Sequence, residues 1–94
     1  MEKVHIFVSG RVQRVGFRFF TKQKALSLKL SGWVRNQLDG RVELEAAGEP
    51  EAIDKLINWL HQGSPLSWVD SVEVVERIVI PEYFSGLFKI RPTS

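Results

Sequence analysis

Leu30-Ser-Gly-Trp-Val-Arg-Asn-Gln-Leu-Asp-Gly-Arg-Val-Glu-Leu-Glu-Ala-Ala47 reads as two strands, residues 30–35 and 41–47, doubled back at Asp39-Gly40. Asp-Gly is a strong hairpin signal because the turn requires positive φ, which glycine adopts without a steric penalty. In the second run Val42, Leu44 and Ala46 are expected to face inward, and Glu43 and Glu45 to face water.

The segments on either side of this hairpin have a different period. Upstream, Phe17, Thr21, Ala25 and Leu28 recur at helical spacing with Lys22 and Lys24 turned outward. Downstream, Gly48-Glu-Pro50-Glu opens a helix, with proline where a first-turn N–H has no partner and acids at the positive end of the dipole. Ile53, Leu56, Ile57 and Leu60 form its apolar stripe, and Gly63-Ser-Pro65 stops it. Val4, Ile6 and Val8 alternate through a first strand that Gly10 is expected to end; residues 72–79 form a long strand and 87–91 a short last one.

The order is β-α-β-β-α-β plus a short extra edge strand. Right-handed crossovers turn it into an α+β, ferredoxin-like sandwich: an antiparallel sheet with two helices on one face. With 94 residues there is room for one domain, residues 1–94. A hydrophobic fraction of 44% supplies a core and argues against disorder. There is no cysteine for a disulfide or a thiolate metal site. No apolar run approaches the roughly 20 residues that span a bilayer, and no leader is apparent, so no membrane partner is expected and the cytoplasm is the default; small size and the lack of an obvious exposed apolar stripe make a monomer the expectation.

The net charge of +2 does not by itself point to nucleic acid, but its distribution is uneven. Arg11, Arg14 and Arg18 lie together without an acid, whereas Glu43, Glu45, Glu49, Glu51 and Asp54 crowd the middle. One end of the molecule can therefore attract an anion. Gly10-Arg-Val-Gln-Arg-Val-Gly16-Phe-Arg18 sits between a strand end and a helix start, where backbone N–H groups can converge and the helix dipole adds positive potential. Gln13, Arg14, Val15, Gly16, Phe17 and Arg18 could wrap a tetrahedral dianion, with the fork of Arg18 on two of its oxygens. The Walker and Rossmann glycine spacings are both missing, which disfavours those modes of nucleotide binding.

Two motifs carry a family resemblance. Val8-x-Gly10-x-Val12-Gln13-x-Val15-Gly16-Phe17-Arg18 resembles the first signature of the acylphosphatase family. Gly32-Trp33-Val34-Arg35-Asn36-x-x-x-Gly40-x-Val42, continuing to Gly48, is similar to the second. The resemblance spans essentially the whole chain. It implies hydrolysis of acyl phosphates to carboxylate and inorganic phosphate, with no metal and no cofactor. It also implies that Arg18 binds phosphate, that Asn36 positions the attacking water, and that the loop amides bind phosphate. The sequence departs from the family pattern at Arg14 and Lys29, where glycine is usual. If Lys29 requires positive φ, it costs roughly 1 kcal/mol.

The chemistry asks little of side chains. The leaving group is a weakly basic carboxylate and needs no general acid, so what remains is neutralising the phosphoryl charge and aligning a water. His5 and His61 are distant in sequence, lack metal spacing and are assigned structural or surface roles. Trp33, Trp59 and Trp68 are assigned to packing, and the Thr21 hydroxyl to a bond with backbone. The alternatives are a non-catalytic phosphate-site module or an RNA-binding module of the same layout. For the latter, the Val15-Gly-Phe-Arg-Phe-Phe run falls in the loop and first helix rather than on the third strand, so no nucleic-acid partner is expected.

Overall fold

The computed structural model describes residues 1–82 and 86–94. The chain runs β1 (Glu2–Arg11), α1 (Phe17–Ser27), β2 (Ser31–Asn36), β3 (Val42–Gly48), α2 (Pro50–Gln62), β4 (Trp68–Val79) and β5 (Phe88–Ile90). The sheet order is β4-β1-β3-β2-β5. The first four strands in that order are antiparallel, as expected, and β5 joins β2 in parallel, so the complete sheet is mixed. The segment Pro81-Glu-Tyr-Phe-Ser-Gly86, for which the sequence offers no function, includes positions 83–85, which lie outside the described residues.

Burial follows the periodicities. Val4, Ile6, Val8, Val34, Val42, Leu44 and Ala46 are buried on one face of the sheet. Phe17, Thr21 and Ala25 of α1 and Ile53, Leu56 and Leu60 of α2 pack onto that face. Each fully buried aliphatic chain contributes about 1.5–3 kcal/mol. α1 lies over β2 and β5, and α2 over β1, β3 and β4. The hairpin turn forms as read: Gly40 has φ +99°, and Asp39 accepts the Arg41 amide at 3.0 Å and its Nε at 2.9 Å. The arginine beside Asp39 holds that carboxyl below its ordinary range through this side-chain bond.

α1 ends in a Schellman motif. Leu30 donates to the Ala25 carbonyl at 2.9 Å and Lys29 to that of Leu26 at 3.0 Å, with Lys29 at φ +60°. The helix terminus thus requires the left-handed residue for which the sequence supplies lysine instead of glycine.

The following expectations need correction. β1 continues through Gly10 to Arg11, because β4 begins at Trp68, ahead of the point where the alternation becomes legible, and Gly10 and Arg11 pair with Val69 and Trp68. Trp68, at that edge, is 72% exposed and does not pack. Glu43 does not face water: it is 6% exposed, held by the His5 ring at 2.6 Å, by Arg35 Nε at 2.8 Å and by the Gln37 side chain. Thr21 is buried as expected, but its hydroxyl has no partner among the described residues. β5 ends at Ile90, although the chain beyond continues beside β2, with Arg91 N–H donating to Val34 O at 2.9 Å. On the open face of the sheet the Trp33 ring lies 4.8 Å from the guanidiniums of both Arg35 and Arg91, in keeping with a packing role.

Candidate active site

The loop between β1 and α1 alternates in backbone hand. Arg14 has φ +63° and Gly16 φ +75°, while Gln13, Val15 and Phe17 have negative φ. Such alternation turns successive N–H groups towards a common point and forms an anion-binding nest. Consistent with this, none of the amides of residues 13–19 donates a hydrogen bond to protein among the described residues. The first that does is Phe20, to the Gly16 carbonyl at 3.0 Å. Gly16 is the N-cap and provides no side-chain cap; α1 also carries no acid in its first turn. The positive end of the helix is therefore open.

The arginines divide by partner. Arg35, Arg41 and Arg77 are held in ion pairs by Glu43, Asp39, and Glu2 with Asp54. Among the described residues Arg11, Arg14 and Arg18 form none. Arg14, Gly16, Phe17, Arg18 and Phe19 line a depression of about 190 Å³ with Val12 and Ile90. A larger hollow of about 500 Å³ lies around Phe20, Trp59, Pro65 and Ser67, but among the described residues no charged side chain lines it. Charge, more than volume, selects the smaller depression for an oxyanion.

Two of the expected loop residues also anchor the loop through groups other than their amides. The Gln13 side chain turns away and donates to the carbonyls of Gln37 and Arg41 at 2.8 and 2.9 Å, tying the loop to the β2–β3 turn. Val15 is partly buried against the core, and its carbonyl accepts the Ser64 hydroxyl at 2.9 Å. The loop is thus pinned from two sides. Nothing in the sequence singles out Ser64 for this: a serine after a helix-stopping glycine reads as turn chemistry.

Asn36 ends β2, opposite Val42. It shares the helix-covered face with Val34, is 8% exposed, and its Oδ1 is buried without a hydrogen-bond partner among the described residues. Such a group costs about 1–3 kcal/mol unless water or substrate meets it. Asn36 does not line the depression itself. It stands on the same side of the sheet as the start of α1, and its carbonyl is held by the Ser94 amide at 3.0 Å.

The family model for acylphosphatase matches residues 4–90. The chain belongs to the acylphosphatase family. It is 47% identical over 93 residues to an acylphosphatase of Synechococcus sp., covering 97% of this chain and 94% of that one. With an acylphosphatase of Methylococcus capsulatus it shares 47% over 83 residues, covering 88% and 90%. The crystal structure of acylphosphatase from Bacillus subtilis superposes with a TM-score of 0.88 at 38% identity, covering 97% of this chain and 99% of that one. Among the described residues no helix is long and apolar enough to cross a membrane.

Proposed function

We propose that the chain hydrolyses the carboxyl–phosphate anhydride of small-molecule acyl phosphates, releasing carboxylate and inorganic phosphate. The observation that carries this reading is the run of amides from residue 13 to 19 that, among the described residues, donate to no protein group, beside an Arg18 that forms no ion pair among them. In this reading the amides and the Arg18 guanidinium hold the phosphoryl oxygens and take up charge as the bond to the carboxylate breaks. The Asn36 carboxamide, with its unpartnered oxygen, accepts a hydrogen bond from the attacking water and aligns it opposite the leaving group. The water's proton passes to a phosphoryl oxygen as the phosphorus–oxygen bond forms, and the carboxylate leaves unprotonated. No step requires a metal or cofactor. The protein acts as a monomer of one domain, residues 1–94, in the cytoplasm and without nucleic acid as a partner.

The test is to incubate the purified chain with benzoyl phosphate in EDTA and follow the loss of substrate absorbance. Turnover that survives chelation supports metal-free hydrolysis. Turnover abolished by EDTA and restored by a divalent cation would overturn it.

A further inference from the structure

We propose that Ser64 is a positioning residue for phosphate binding: its hydroxyl fixes the plane of the Val15–Gly16 peptide so that the Gly16 N–H faces the anion. The inference rests on the loop being the phosphate cradle, as proposed above. It starts from the bond between the Ser64 hydroxyl and the Val15 carbonyl, 2.9 Å long and made by a residue only 3% exposed. In a trans peptide the carbonyl of one residue and the N–H of the next point in opposite directions. Among the described residues there is no cis peptide bond, so holding the Val15 carbonyl towards Ser64 turns the Gly16 N–H the other way. That N–H donates to nothing in the protein among the described residues, and Gly16 lines the depression.

The mount is itself held. The Ser64 carbonyl accepts both the Ser67 amide at 3.0 Å and the Ser67 hydroxyl at 2.7 Å. Pro65 follows Ser64 directly and restricts the turn. Without the hydroxyl the Val15 carbonyl loses its partner, and the peptide plane is free to rotate. An amide that wanders from its aim weakens the grip on phosphate in both substrate and product.

Inhibition by inorganic phosphate and turnover of benzoyl phosphate measure that grip. Ser64→Ala is expected to raise the phosphate inhibition constant and KM together by about 5- to 10-fold, the scale of one hydrogen bond, with a smaller change in kcat. Ser64→Thr, which keeps the hydroxyl, returns both constants towards wild type. Should Ser64→Ala not fold, Ser64→Cys, whose thiol is a weak donor, is expected to show the same rise in lesser degree. A purely structural role predicts lower thermal stability with both constants unchanged in the folded fraction, which would overturn the proposal. Arg18→Gln run alongside separates the two levels. If it leaves phosphate inhibition intact, the cradle reading fails; if it abolishes inhibition while Ser64→Ala does not alter it, only the role of Ser64 fails.

Discussion

Gln13 Nε2 donates to the carbonyl of Gln37 at 2.8 Å, joining the β1–α1 loop to the residue that follows Asn36. Its second donor reaches the Arg41 carbonyl at 2.9 Å, so one side chain spans both ends of the β2–β3 turn. The proposed oxyanion nest and the strand end proposed to position water are thereby built as one unit, although all of α1 separates the left-handed turn at Arg14 from Asn36 along the chain. The two functional halves are nevertheless chemically separable, and substitution should separate them.

Arg18→Gln removes the charged side chain that enters at the helix start. Phosphate inhibition and turnover should be lost together, with kcat/KM down ~1000-fold or more, the scale of losing an arginine on a transferring phosphoryl group. Steady-state kinetics with benzoyl phosphate checks this, with circular dichroism to confirm folding.

Asn36→Ala should leave phosphate inhibition nearly intact while lowering kcat by at least ~100-fold, as expected when a positioning contact is lost. Near-normal turnover in this variant would remove Asn36 from the mechanism.

Lys29 and Arg14 are the two non-glycine residues with positive φ among the described residues. Lys29→Gly should relieve about 1 kcal/mol of strain and raise Tm by roughly 4–8 °C with no change in kinetics. Arg14→Gly should also stabilise, but it removes a charge beside the depression and should weaken phosphate inhibition at low salt, less so at high salt. Thermal melts and inhibition assays at two ionic strengths distinguish the pair.

Glu43 gives the fold an acid-sensitive element. Burial pushes its carboxyl up, but bonds from Arg35 and His5 outweigh this and hold it below the ordinary value of 4.5. A carboxyl lowered in the folded state stabilises above its unfolded value, and that contribution is lost as pH falls through the folded one. Tm should therefore drop as pH falls below about 4.5, the unperturbed value. Glu43→Gln should be less stable by about 2 kcal/mol at neutral pH, the scale of bonds to a charged group, and should show a flatter acid limb. Thermal melts of both proteins across the acid range check this.

Much of the fold could be read from period alone, because Val4, Ile6 and Val8 or Ile53, Leu56 and Leu60 face a single core. What escaped depended on neighbours distant in the chain. Glu43 alternates correctly for a wet position, yet His5 and Arg35 on the adjoining strands close over it. The start of β4 is a strand because Trp68 and Val69 pair with Arg11 and Gly10, more than fifty positions away in the chain. At the site, the strand-to-helix loop and Asn36 were legible from their local motifs. Ser64 was not, because its partner lies 49 positions away and the bond is made to a backbone carbonyl.

A crystal structure of the protein soaked with inorganic phosphate tests the central claim most directly. The ion is predicted in the depression, within about 2.7–3.1 Å of the loop amides and the Arg18 guanidinium, with Asn36 Oδ1 turned towards a water beside it. An empty loop at phosphate concentrations that inhibit turnover, or an Asn36 side chain directed away from the ion, would contradict the account.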